Sequence, residues 1–119
     1  MINKTLNSFK FATNGIKTVW REESNFKIQA VVALLVIIFI FYFHFSLVEK
    51  SLIILAIMLV LASEMVNTAI EDLCNKVESS IDPVIGKIKD IASGFVLLSS
   101  IGALTVGVLV FVSHFAQVP

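Results

Sequence analysis

The sequence predicts an all-α membrane protein: an amphipathic N-terminal surface helix followed by three transmembrane helices. Three observations predict it. Of 119 residues, 57% are hydrophobic and only 15% are charged, and the mean hydropathy is +0.93. Soluble domains run at about 45–50% apolar and about 25% charged. So large an excess cannot be hidden inside one short chain, whose surface-to-volume ratio is poor. Next, charges leave long stretches uninterrupted, from Ile28 to Val48, from Ser51 to Ser63 and from Ile91 to Pro119. Last, the segment ahead of the first stretch alternates apolar and polar residues at helical spacing. The length suits a single domain over residues 1–119.

In residues 1–27, Leu6, Phe9, Thr13, Ile16 and Trp20 recur at spacings of three and four. Asn7, Lys10, Asn14, Lys17 and Arg21 follow the same spacing one residue on. This reads as a helix on the membrane surface, apolar side toward lipid and cations toward anionic headgroups. It serves as an anchor or as the cover of a site. A ~30 Å hydrocarbon core takes roughly 20 apolar residues of helix. Residues 28–48 meet that as span 1. They are too long for a signal-peptide core, and no small-residue cleavage site follows them. Span 2, residues 51–71, reaches the length only by running on through Glu64, so one span must carry a carboxylate. Residues 72–90 form a connection and a helix start, with Asp82 suited to the N-cap and Pro83 to the first helical position. Span 3 covers residues 91–112.

Lysine and arginine set the orientation. Residues 1–27 hold five, and the connection from about Glu71 to Asp90 holds three. The short turn near Ser46–Ser51 has only Lys50, and the C-terminal tail has none. The N-terminus and the second loop are therefore expected in the cytoplasm. Phe39, Phe41, Tyr42, Phe43, Phe45, Phe111 and Phe115 then fall at the outer interface as aromatic anchors, with His44 and His114 among them as belt residues rather than ligands. A net charge of zero and a pI near 6.7 argue against nucleic acid as a partner. A single Cys74 excludes an intrachain disulfide or a cysteine-rich zinc site.

The chemistry-bearing residues lie in Ser63–Asp72. On a helix Glu64, Asn67 and Glu71 stand at i, i+3 and i+7, on one face, with Thr68 beside it. A carboxylate within the lipid boundary costs several kcal/mol unless paired, protonated or in a wet cleft, so Glu64 is a functional candidate. A plain helix-contact glutamate is the competing reading. Glu23, just ahead of span 1, and Lys89-Asp90, opening span 3 with Ser93 one turn on as a supporting hydroxyl, reach the same level. Taken alone, Glu23 would read as a solvated charge or a partner for Lys27. Together these carboxylates and a lysine at one interface suit Mg²⁺, which takes oxygen ligands and shares them with substrate phosphates. There is no P-loop motif, no protein-kinase motif set, no H-E-x-x-H, and no Ser/His/Asp arrangement, both histidines being on the other side.

At Glu64-x-x-Asn67-Thr68-Ala69-Ile70-Glu71, followed by Gly86-x-x-Lys89-Asp90, the chain resembles the small integral-membrane diacylglycerol kinases of bacteria, a family that includes undecaprenol kinases. The likeness covers nearly the whole chain, including Gly15-Ile16 and Glu23-Ser24-Asn25-Phe26. It implies an ATP- and Mg²⁺-dependent lipid kinase of the bacterial plasma (inner) membrane, a homotrimer with active sites shared between subunits. By resemblance Glu64 matches the catalytic base and Glu23 and Glu71 the metal-binding glutamates. These two acids, Lys89 and Asp90 then form the nucleotide site, with Asn67 in support. Two positions depart from the diacylglycerol kinase pattern. Asn75 stands where an aspartate is common, and Gln29 where an acid or histidine is often found. The expected acceptor is diacylglycerol, with undecaprenol as the alternative. A small multidrug transporter would need four spans with its acid mid-bilayer in the first. A structural or holin-like protein would not need Glu64, Asn67 and Glu71 in register.

Overall fold

The computed structural model describes residues 2–77 and 82–116. These described residues form four helices: α1 (Ile2–Glu22), α2 (Ser24–Tyr42), α3 (Leu47–Val77) and α4 (Pro83–Ala116). No strand occurs among the described residues. Helices α2, α3 and α4 are each long and apolar enough to cross a membrane. At a rise of about 1.5 Å per residue, α3 and α4 outrun a ~30 Å hydrocarbon core. Their charged ends therefore project beyond it.

Helix α4 packs along the length of α3, α2 lies against α3, and α1 touches only α2 and α3. The molecule measures 53 × 42 × 24 Å. Three parallel helices about 10–12 Å thick do not need that second dimension, so α1 runs across the bundle. The break falls at Glu23, whose backbone is extended (φ −112°, ψ 107°). Val19 and Phe26 are buried on either side of it and fasten the corner. The other large apolar residues of α1, Leu6, Phe9, Ile16 and Trp20 among them, are exposed. They are available to lipid, as their spacing predicts. Most large apolar side chains of α2–α4 also face outward, for example Leu34, Leu98 and Leu104. A membrane solvates such a surface.

A buried apolar cluster lies at the aromatic end. Ile40, Phe45, Ile53 and Val110 form it, flanked by Phe39 and Phe111. Hydropathy alone carries span 1 to Val48, but α2 stops at Tyr42. The cause is a left-handed C-terminal closure. His44 has φ 54°, its N–H donates to Phe41 O, and the N–H of Phe45 reaches back to Ile40 O. This is the Schellman pattern, in which an apolar residue after the turn contacts the last turn of the helix. Phe45, expected as an interfacial anchor, fills that role and is only 2% exposed. Ser46 and Glu49 then cap α3 reciprocally: Ser46 N–H donates to Glu49 Oε1 (2.7 Å), and Glu49 N–H donates to Ser46 Oγ (3.1 Å). His114 is more than a belt residue. Its ring stacks on Phe45 at 3.8 Å, and its Nδ1 lies 3.1 Å from Glu49 Oε1.

The turn gives a stability test. A left-handed conformation costs a non-glycine residue about 1–2 kcal/mol. His44→Gly should therefore raise the unfolding temperature in detergent, and His44→Val should lower it. Opposite signs for the two variants in thermal melts are the check.

At the other end Asp82 caps α4 as its spacing predicts. Its Oδ1 accepts from the N–H groups of Val84 (2.9 Å) and Ile85 (3.1 Å). Pro83 opens the helix, where a missing N–H costs nothing.

Candidate functional site

The charged end collects the polar residues. Glu64, in the middle of α3, is 7% exposed. Its neighbours explain how a carboxylate is tolerated there. Gln29 Nε2, from α2, donates to Glu64 Oε1 at 3.0 Å. One turn on, Thr68 is also buried, with its hydroxyl returned to the Glu64 carbonyl at 2.9 Å. Asn67 and Glu71 follow on the same face, with Asn67 Nδ2 3.4 Å from Glu71 Oε1. Two amides thus each turn an N–H toward an acid. A carboxylate can only accept, which fixes the amide orientation. The amide oxygens, Gln29 Oε1 and Asn67 Oδ1, are buried without a partner.

Glu23 comes to this region from the break between α1 and α2. Burial raises its pKa, and the nearby Glu71, Glu64, Asp72 and Glu22 raise it further. Glu23 is therefore within electrostatic reach of the acids of α3, at the level its place in the sequence suggests. Glu64, Asn67 and Glu71 share one face of α3, and Glu23 is close enough to feel the charge of Glu71 and Glu64. Lys89 Nζ donates at 2.6 Å to the Oδ1 of Asn75, one turn past Glu71, bridging α4 to α3. Asp90 and Ser93 are exposed on α4. Among the described residues no hydrogen bond joins either to Glu23, Glu64, Asn67 or Glu71.

The donor set can be tested against Mg²⁺. Among the described residues no three His, Cys, Asp or Glu groups are close enough to hold an ion by themselves. Mg²⁺ seldom uses such a cage. It keeps several waters and takes one or two carboxylates plus substrate phosphates. Glu23 and Glu71, which repel one another, fit that pattern.

An apolar groove begins beside this site, at Gln29. It holds about 570 Å³ and runs over α3 between α2 and α4. Gln29, Val60 and Ser100 lie at one end, Val36, Ile53 and Phe111 toward the other. Gln29 is thus both the partner of Glu64 and part of the groove wall. The sequence marked Gln29 only as a departure from a family pattern; its pairing across 35 residues was not legible there.

A bundle of membrane-length helices with a buried acid, further acids nearby and an apolar groove lined by that acid's own partner, Gln29, has the parts of an integral-membrane enzyme for lipids. The comparisons agree. The profile of the prokaryotic diacylglycerol kinase family matches residues 10–111. The chain is 28% identical to a diacylglycerol kinase of Escherichia coli K12, over 88% of this chain and 86% of that one. It is 29% identical to a diacylglycerol kinase of Haemophilus influenzae, over 89% and 92%. It is 32% identical to an undecaprenol kinase of Bacillus subtilis, over 92% and 89%. The chain belongs to the prokaryotic diacylglycerol kinase family and is a lipid kinase of the membrane.

Proposed function

We propose that the protein transfers the γ-phosphoryl group of ATP to a membrane lipid alcohol, in a Mg²⁺-dependent reaction, with diacylglycerol as acceptor and phosphatidic acid as product. The observation that carries this reading is the buried Glu64, aligned with Asn67 and Glu71 and held beside an apolar groove. A lipid presents its hydroxyl at the interface, and the groove offers its chain an apolar path to that level. Undecaprenol is the second reading. It is favoured by the Bacillus subtilis relative and by Gln29 at a position where diacylglycerol kinases often carry an acid or histidine.

Phosphoryl transfer needs positioning, charge neutralisation and a group to take the hydroxyl proton. Glu64 is the proposed base. Its carboxylate accepts the proton as the lipid oxygen bonds to the γ-phosphorus. The bond from that phosphorus to the β–γ bridging oxygen breaks, and ADP leaves with the electron pair. Glu23 and Glu71 would hold Mg²⁺, which would neutralise phosphate charge and orient the nucleotide. Lys89 and Asp90 complete the proposed nucleotide site, with Asn67 and Ser93 in support. Neutral Asn75 orients the Lys89 ammonium without cancelling its charge.

The assembly is proposed as a homotrimer. Gly94 and Gly102 on α4 would each admit a Cβ without contact, so no neighbour within one protomer requires their smallness. Small residues of this kind let membrane helices approach closely. The charged end is proposed to face the cytoplasm at a bacterial plasma membrane, a reading that its lysines and arginine support. A reporter fused to the C-terminus should then be active only outside the cytoplasm; cytoplasmic activity would reverse the orientation.

The functional test offers labelled ATP with diacylglycerol and undecaprenol side by side, in bilayers with and without Mg²⁺. Labelled lipid in either arm supports the kinase reading, and the faster arm assigns the acceptor. Labelling of neither removes it.

A further inference from the structure

We propose that Gln29 is the positioning residue for Glu64, locking one carboxylate oxygen from the neighbouring helix so that the other is presented to the acceptor alcohol. This rests on the kinase reading and deepens it. The geometry is specific. The Gln29 amide on α2 donates to Oε1 of Glu64 on α3 at 3.0 Å. Glu64 carries a long, flexible side chain, and fixing such a side chain costs rotamer entropy. A hydrogen bond from a separate helix overcomes part of that cost before substrate arrives. With Oε1 engaged, Oε2 is the oxygen left for the lipid hydroxyl.

The residue type matters. A lysine or arginine would pair with Glu64 and cancel its charge. A second acid would repel it or share a proton with it. An amide orients without doing either. The partnerless Gln29 Oε1 is consistent with this, because the N–H side must face the carboxylate and the oxygen is left turned away. Asn67 repeats the arrangement one turn along, with its N–H toward Glu71 and its oxygen free. Gln29 acts through Glu64 and is a positioning residue, whereas a plain helix–helix hydrogen bond would act on assembly.

The test is kinetic, on full-length protein in bilayers. Gln29→Leu removes the amide at similar volume; Gln29→Asn keeps an amide one carbon short of its target. Both should lower kcat by about 10- to 10²-fold, the loss that misplacement by about 1 Å brings. KM for ATP and the detergent melting temperature should stay close to wild type. Gln29→His, which restores an N–H, should recover most of the loss. In a Glu64→Gln background, Gln29→Leu should cause no further loss, since its effect runs through the missing base. Near-wild-type kcat for both Leu and Asn variants, or multiplied losses in the double variant, would overturn the proposal. If Gln29→Leu fails to fold, the Asn variant decides alone. An inactive wild type removes the kinase reading and this proposal together. Full activity of Glu64→Gln removes the base and this proposal, and leaves the kinase reading standing.

Discussion

Glu64→Gln should lose at least about 10²-fold in turnover while still assembling normally. A positioned general base contributes typically about 10²–10⁴-fold. The change is nearly isosteric, and a neutral amide is cheaper to bury than a charge. Gln29 faces position 64 with an amide that has both donor and acceptor, so it can still bond to the substituted side chain. ATP binding should survive, because the proposed nucleotide contacts are elsewhere. Turnover and oligomer stability in detergent, measured on the same preparation, separate a base from a helix-contact glutamate. Normal assembly with turnover within a few-fold of wild type would remove Glu64 from the mechanism.

Glu23→Gln and Glu71→Gln should each raise the Mg²⁺ requirement sharply or abolish turnover. For Glu23 a second readout exists. Its pKa is raised, chiefly by burial and by Glu71. The folded state thus favours protonated Glu23, so this stabilising contribution is fully present below the ordinary carboxylate range. It is lost as pH rises through the raised pKa. At neutral pH, without a cation, ionised Glu23 works against the fold. Glu23→Gln should then melt slightly higher than wild type without Mg²⁺, and gain less when Mg²⁺ and nucleotide are added. Melting curves with and without Mg²⁺ check this. An unchanged gain would remove Glu23 from the ligand set.

The helical bundle was legible because lipid imposes a simple code: uninterrupted apolar runs such as those around Leu34 and Leu104. The alignment of Glu64, Asn67 and Glu71 was equally open to reading, since i, i+3 and i+7 need only the helix period. What hydropathy missed was where helices stop. Ser46-Leu47-Val48-Glu49 is an S-x-x-E capping signature, and it marks the start of α3 inside what reads as continuous apolar sequence. Contacts between distant residues were out of reach. Nothing local in His114 points to Glu49, 65 residues away, and nothing local in Gln29 points to Glu64. Lys89 was expected among the phosphate-binding groups; the structure shows its bond to Asn75, a pairing that the spacing did not suggest.

The groove over α3 has a consequence for how rate should depend on substrate. It lies over α3 between α2 and α4 and is lined almost wholly by apolar side chains. On the proposed reading its apolar wall meets hydrocarbon, and the nucleotide reaches Glu23 and Lys89 from water. One reactant then arrives by diffusing in two dimensions and the other in three. The quantity that governs saturation by lipid is therefore its mole fraction in the bilayer, not its amount per volume of suspension. Diluting diacylglycerol with an inert phospholipid at constant total diacylglycerol should slow the reaction. Diluting the whole vesicle suspension with buffer, at fixed ATP, should leave turnover per enzyme unchanged.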